Sequence, residues 1–248
     1  DIRQTVQNGV PLSEIAVLFR TNMQPRALME YMVSANLAFQ TKDRIPDIYE
    51  HWIARDFFTY IRIAQGSDSR ADFLSIMNRP KRYIGRDSLP DETVCFDEWM
   101  KLYEEQPWIA ERIEKLWYDL KHLSRLSPYA AINYIRRGIG YDDYLAEYAE
   151  YRNANKEDFY EVADEILASA KGYRTFEEWF AHIEEYRQEL KRLAQEKRRN
   201  QNAVTFATLH SAKGLEFTKV YLIDVNEGVM PYQKAVLAEA IEEERRMF

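Results

Sequence analysis

The chain has 248 residues, a formal net charge of −7 at pH 7, 46% apolar and 14% aromatic residues. That composition excludes a disordered chain, and the acidic balance weighs against a domain that is basic throughout while leaving room for a local basic groove. The single Cys95 allows no internal disulfide, no run approaches the length of a membrane span, and the N-terminus carries no signal-peptide pattern, so a reducing, cytoplasmic setting is expected.

Residues 1–14 read as a short helix and a turn. Ile15 to Phe19 is apolar without alternation, the pattern of a parallel strand covered on both faces. Arg20, Thr21 and Asn22 follow at its carboxyl end. Pro25 suits the first turn of a helix running to about Ala35, with Leu28, Met29, Met32 and Val33 near helical spacing. Residues 36–40 turn into a second short strand, which completes βαβ grammar.

Residues 47–64 form an amphipathic helix with Ile48, Trp52, Ile53, Phe57, Tyr60, Ile61 and Ile63 as its apolar positions. Gly66 to Ser69 ends it, and Ala71 to Asn78 is a further short helix. Arg79 to Arg86 is the most basic loop of the first half. Its four cations interleave with Tyr83 and Gly85, which suits either a solvated loop or phosphate contact.

From about Trp99 to Arg199 the spacing predicts only helix, over 108–126, 128–137, 141–151, 156–171 and 175–199. Thr175 with Glu178 makes a capping-box pattern. The Trp and Tyr residues of this region read as core rather than as base-stacking platforms. Its charges read as solvated faces and i,i+4 pairs, and Lys197-Arg198-Arg199 as a helix-end charge bias.

βα grammar returns at Val204 to Phe217, VTFATLHSAKGLEF. A buried strand breaks into a polar turn containing Gly214, and Lys219 to Val225 is a second strand candidate. Polar groups at the end of a buried strand are the usual ligand site of an α/β sheet. Lys213 can meet a phosphate, Gly214 allows close backbone approach, and Glu216 can accept from a sugar hydroxyl. The expected fold is therefore α/β, one discontinuous parallel-sheet domain interrupted by helices. Residues 1–100 and 201–248 are its two segments, and 101–200 the insertion.

TLHSAKGLEF resembles the fifth motif of superfamily 1 DNA helicases of the UvrD/PcrA/Rep type. Ile15 to Asn22 resembles the fourth motif, and Glu242 to Phe248 the opening of the sixth. Asn78-x-Pro80-x-Arg82-x-Ile84-Gly85 is similar to a further family segment. The likeness covers roughly residues 1–90 and 200–248, and the insertion is short by family standards. It implies the second RecA-like (P-loop NTPase-type) motor domain of an ATP-dependent helicase. Such an enzyme translocates on single-stranded DNA and unwinds duplex, usually 3′ to 5′, in repair or replication.

By this resemblance Arg20 is the catalytic contact to the γ-phosphate, and Phe19 holds the position of an adenine-stacking Tyr. Gly214 and Glu216 face nucleotide, and Thr208, His210 and Lys213 face the strand. Arg79, Lys81 and Arg82 contact DNA. Arg245 and Arg246 position a finger that lies beyond the last residue.

None of the eight glycines is followed by Lys, so no phosphate-cradling GxxxxGK[ST] loop is present. ATP with Mg²⁺ is then expected to be held mainly by an N-terminal motor domain of the same polypeptide. The chain, which starts without Met and stops in a helical pattern, reads as an inactive, monomeric piece of that enzyme. The four scattered His suggest no metal site. Two other readings remain. A RecB/AddA-type helicase–nuclease often has His-Lys-Ser-Lys-Gly where this chain has Ser211-Ala212. A non-catalytic binding module is disfavoured by the intact Arg20, Gly214 and Glu216.

Overall fold

Ile15, Ala16, Val17 and Phe19 are each 0% exposed, as a strand without polar alternation requires when both its faces are covered. This strand, β1 (Ile15–Phe19), sits inside a four-stranded sheet in the computed structural model, which describes residues 1–43, 45–195 and 202–226 together with Glu242 and Arg245. The other strands are β2 (Phe39–Thr41), β3 (Val204–Thr208) and β4 (Lys219–Leu222). Their order is β2-β3-β1-β4, and every pairing is parallel. Phe19 is opposite Thr208, and Leu18 opposite Leu222, so β1, β3 and β4 end on one edge of the sheet.

Helices α1 (Ile2–Gln7) and α2 (Arg26–Ser34) belong to the same unit. Pro25 precedes the first turn of α2, and the helix buries Met29 and Met32 completely. The fold class is α/β with a parallel sheet, as the unbroken apolar runs require.

By packing, the chain divides into residues 1–47 with 183–248, and residues 48–182. The sheet unit is thus assembled from two segments of chain on either side of the helical one. The sequence sets the division near residue 101, whereas packing sets it at 47/48. The reason lies in α3 (Trp52–Ala64), whose face of Ile53, Phe57, Tyr60 and Ile61 is buried and which belongs to the helical unit. His51 caps α3, its Nδ1 accepting from the Ile53 N–H at 3.3 Å.

The helical unit continues with α4 (Arg70–Ile76), α5 (Phe96–Lys101), α6 (Pro107–Leu123) and α7 (Pro128–Asn133). A π turn follows at Tyr134–Gly138, then α8 (Tyr141–Arg152) and α9 (Lys156–Ser169). The unit boundary falls inside α10 (Phe176–Gln195). The capping box is present: Glu178 N–H donates to Thr175 Oγ1 at 3.2 Å, and Thr175 N–H to Glu178 Oε2 at 3.3 Å.

Trp99 and Trp179 are core, as expected, but Trp108, Tyr118, Tyr129 and Tyr151 are exposed. Lys197, Arg198 and Arg199 lie outside the described residues, as does the sixth-motif segment apart from Glu242 and Arg245. Among the described residues no helix is long and apolar enough to cross a membrane.

Candidate functional site at the carboxyl edge of the sheet

The parallel register brings the fourth- and fifth-motif segments side by side. Leu209 N–H, the first donor past β3, bonds the Phe19 carbonyl at 2.9 Å, so Arg20 and His210 leave adjacent strand ends. The turn after β1 is fixed by Gln24, whose Oε1 accepts from the N–H groups of Arg20 and Thr21 at 2.8 Å each. Arg20 is half-buried there. Phe19, by contrast, points into the sheet unit and is 0% exposed. A ring enclosed in this way offers no face to a base, so the adenine-stacking role expected for Phe19 is not supported by its position.

The turn after β3 is tightly hydrogen-bonded. Ala212 N–H reaches the Thr208 carbonyl at 2.9 Å, and Leu215 N–H the Ala212 carbonyl at 3.0 Å. Ser211 N–H donates to Thr208 Oγ1 at 3.2 Å, and the two hydroxyls are 2.8 Å apart. Gly214 has φ +83°, a left-handed value that most side chains resist. A Cβ there would meet nothing within 4 Å, so backbone conformation rather than crowding requires the glycine. His210, Lys213, Gly214 and Glu216 are all exposed, and Thr208 is half-buried.

One acid of this site was not legible in the sequence. Asp43 Oδ2 accepts from Thr208 N–H at 2.7 Å and from Ser211 Oγ. Burial alone would raise its carboxyl. The hydrogen bonds from Ser211 and Thr208, with the charge of His210, outweigh burial and hold it below the ordinary carboxylate value.

The basic loop in the helical unit is a different environment. Arg82 is 7% exposed. Its Nη1 donates to the carbonyls of Ile76 at 3.2 Å, Met77 at 3.1 Å and Pro80 at 3.4 Å, and its Nη2 to Tyr60 Oη at 3.2 Å. Asn78 closes the same loop, its Oδ1 accepting from Ile84 N–H at 3.0 Å and its Nδ2 donating to the Ile84 carbonyl at 2.8 Å. Arg82 therefore holds the loop together, and its guanidinium is enclosed by these partners rather than exposed, unlike the DNA-contacting position expected for it.

Arg79 pairs with Asp56 at 2.7 Å, and Lys81 with Glu147 at 2.7 Å. Asp56 is buried and also accepts from Tyr141 Oη at 2.6 Å; burial pushes its carboxyl up against these bonds. Of the loop cations predicted to meet DNA, Arg79 and Lys81 keep exposed side chains, at 40% and 58%.

A family model described as the UvrD-like helicase C-terminal domain matches residues 98–248, more than half of the chain. The chain is 28% identical to the ATP-dependent DNA helicase PcrA of Bacillus subtilis, over 95% of this chain and 34% of that protein. It is 28% identical to PcrA of Staphylococcus epidermidis, over 100% of this chain and 36% of that protein. It is 25% identical to the ATP-dependent DNA helicase Rep of Escherichia coli, over 97% of this chain and 38% of that protein. The chain thus spans about a third of the length of the curated relatives it matches.

Proposed function

Because the chain belongs to the UvrD-like helicase C-terminal domain family, we propose that it is the second motor domain of a longer ATP-dependent DNA helicase. That enzyme would translocate on single-stranded DNA and unwind duplex, 3′ to 5′, in DNA repair or replication. The observation that carries this reading is the parallel pairing of β1 with β3, which sets Arg20 beside the turn bearing His210, Lys213, Gly214 and Glu216.

In this reading ATP with Mg²⁺ is bound chiefly by a first motor domain, and the ion supplies charge neutralisation at the phosphates. Arg20 supplies the guanidinium across the closed cleft. A cation so placed accelerates phosphoryl transfer by roughly 10³–10⁵. The exposed Glu216 carboxylate accepts from a ribose hydroxyl, and the positive φ of Gly214 turns the chain toward the nucleotide. On the neighbouring strand end, Thr208 and His210 contact the single strand, and Lys213 neutralises a phosphate.

The two ligand sets share one short turn, so nucleotide and DNA bias the same element. Differential contacts in the open and closed states convert hydrolysis into motion. In the helical unit Arg79 and Lys81 are the loop cations proposed to reach a DNA phosphate, by exchanging their carboxylate partners.

The test is hydrolysis of ATP by the longer protein, with and without oligothymidylate, beside the same assay on this chain alone. Strand-stimulated hydrolysis by the former, none by the latter, and a stimulation reduced about tenfold or more by His210→Ala is the expected result. Hydrolysis by this chain alone overturns the assignment, and so does a wild type indifferent to the strand.

A further inference from the structure

We infer that Asp43 is a positioning residue that sets the turn Thr208–Gly214 for single-stranded DNA, an inference that rests on the strand-facing role proposed for Thr208 and His210. The geometry begins with the ladder between β2 and β3. β2 ends at Thr41, and Lys42 N–H makes the last backbone rung, to the Phe206 carbonyl at 2.9 Å. Successive residues of a strand point their backbone groups to alternate sides, so Phe206 and Thr208 face β2 while Leu209 faces β1. Thr208 N–H therefore points past the end of β2, where the backbone offers it no partner. Even a half-buried donor left in that state is costly.

The Asp43 carboxylate takes this N–H at 2.7 Å, and the same oxygen accepts from Ser211 Oγ. Ser211 in turn is tied to Thr208 through both its N–H and its hydroxyl. One carboxylate oxygen thus closes a ring across Thr208 and Ser211, the residues that bracket His210. Bonds to an ionised acceptor are shorter and stronger than neutral ones, which suits a device that fixes direction rather than fills space. Asp43 is half-exposed, so its contribution is orientation of the turn and not core packing. Its carboxyl, held low by these partners, remains ionised at neutral pH.

The experiment compares wild type, Asp43→Ala and Asp43→Asn in the full-length protein. Affinity for fluorescein-labelled oligothymidylate is measured by anisotropy, and amide exchange and the melting temperature are measured on the same samples. Asp43→Ala is expected to weaken strand binding roughly tenfold, the factor that about 1.4 kcal/mol of lost hydrogen bonding represents. Faster exchange should be confined to residues 208–214. Asp43→Asn keeps an oxygen for Thr208 N–H and should fall between the two.

Unchanged affinity and unchanged exchange in Asp43→Ala overturn the inference. A lower melting temperature with faster exchange throughout also overturns it, because Asp43 would then serve the fold as a whole. A wild type that binds strand without hydrolysing ATP refutes the motor, while the variant comparison still decides the role of Asp43. A wild type that binds no strand refutes both.

Discussion

Replacing Arg82 separates a structural cation from a DNA contact. The guanidinium is 7% exposed, donates to three backbone carbonyls in its own loop, and also donates to Tyr60 Oη. Tyr60 Oη in turn donates to the Arg79 carbonyl at 2.6 Å. Hydrogen bonds to charged groups are each worth about 1.5–3 kcal/mol, and bonds from one side chain are not additive. Truncation removes these bonds, although the Ile76 carbonyl keeps the Arg79 N–H at 2.9 Å, so Arg82→Ala should cost about 3 kcal/mol.

For a domain of this size that lowers the melting temperature by roughly 6–12 °C. All five tryptophans lie within residues 48–182, so tryptophan fluorescence reports the melting of the helical unit directly. Arg82→Lys, with a point charge and no planar fork, should restore only part of the loss. Lys81→Ala, which breaks a pair exposed on both sides, should leave the melt almost unmoved. An Arg82→Ala protein that melts with wild type but loses DNA affinity would refute this reasoning and return Arg82 to the DNA surface.

Tyr134 donates to Asp119 Oδ1 at 2.7 Å, and burial together with that carboxylate pushes its hydroxyl up to about 12. The unfolded state then loses this proton first, so fluorescence-monitored stability should decline as pH rises from about 10 toward 12, and Tyr134→Phe should flatten part of that slope. An unaltered profile in Tyr134→Phe would contradict the assignment. Thr175→Ala removes the side-chain half of the capping box and should cost about 1 kcal/mol, or roughly 2–4 °C, against a smaller shift for Glu178→Gln; equal melts for all three proteins would show that the cap is not formed in solution. At Gly214 the open space removes any steric objection to a side chain, so Gly214→Asn, which tolerates a left-handed φ, should keep more stability than Gly214→Val. Equal losses would mean that φ is not held there.

The strands were legible because burial on both faces leaves an unbroken apolar run, as Ile15–Phe19 and Val204–Thr208 show. The capping box was legible because its partners are three residues apart. Long-range partners leave no such mark. Arg82 reads as a basic loop residue until Tyr60, on α3, is seen to receive it. Asp43 reads as an ordinary loop acid, because Thr208 and Ser211 lie 165 and 168 residues away. A polar residue just past a strand that stops short of its neighbour was the available signal. Phe19 draws two readings from the sequence, a ring presented to a base by motif match and a buried strand position by the apolar pattern, and in the structure it is buried. Trp108 and Tyr151 show that helical spacing alone does not decide which aromatic residues reach the core.

The most direct test of the motor-domain account is the steady-state rate of ATP hydrolysis by the longer protein at saturating oligothymidylate, wild type against Arg20→Ala. A cation lost from the γ-phosphate predicts a fall of roughly a hundredfold or more, with strand binding retained. Strand-stimulated hydrolysis that is indifferent to Arg20 would contradict the placement of this edge of the sheet at the nucleotide.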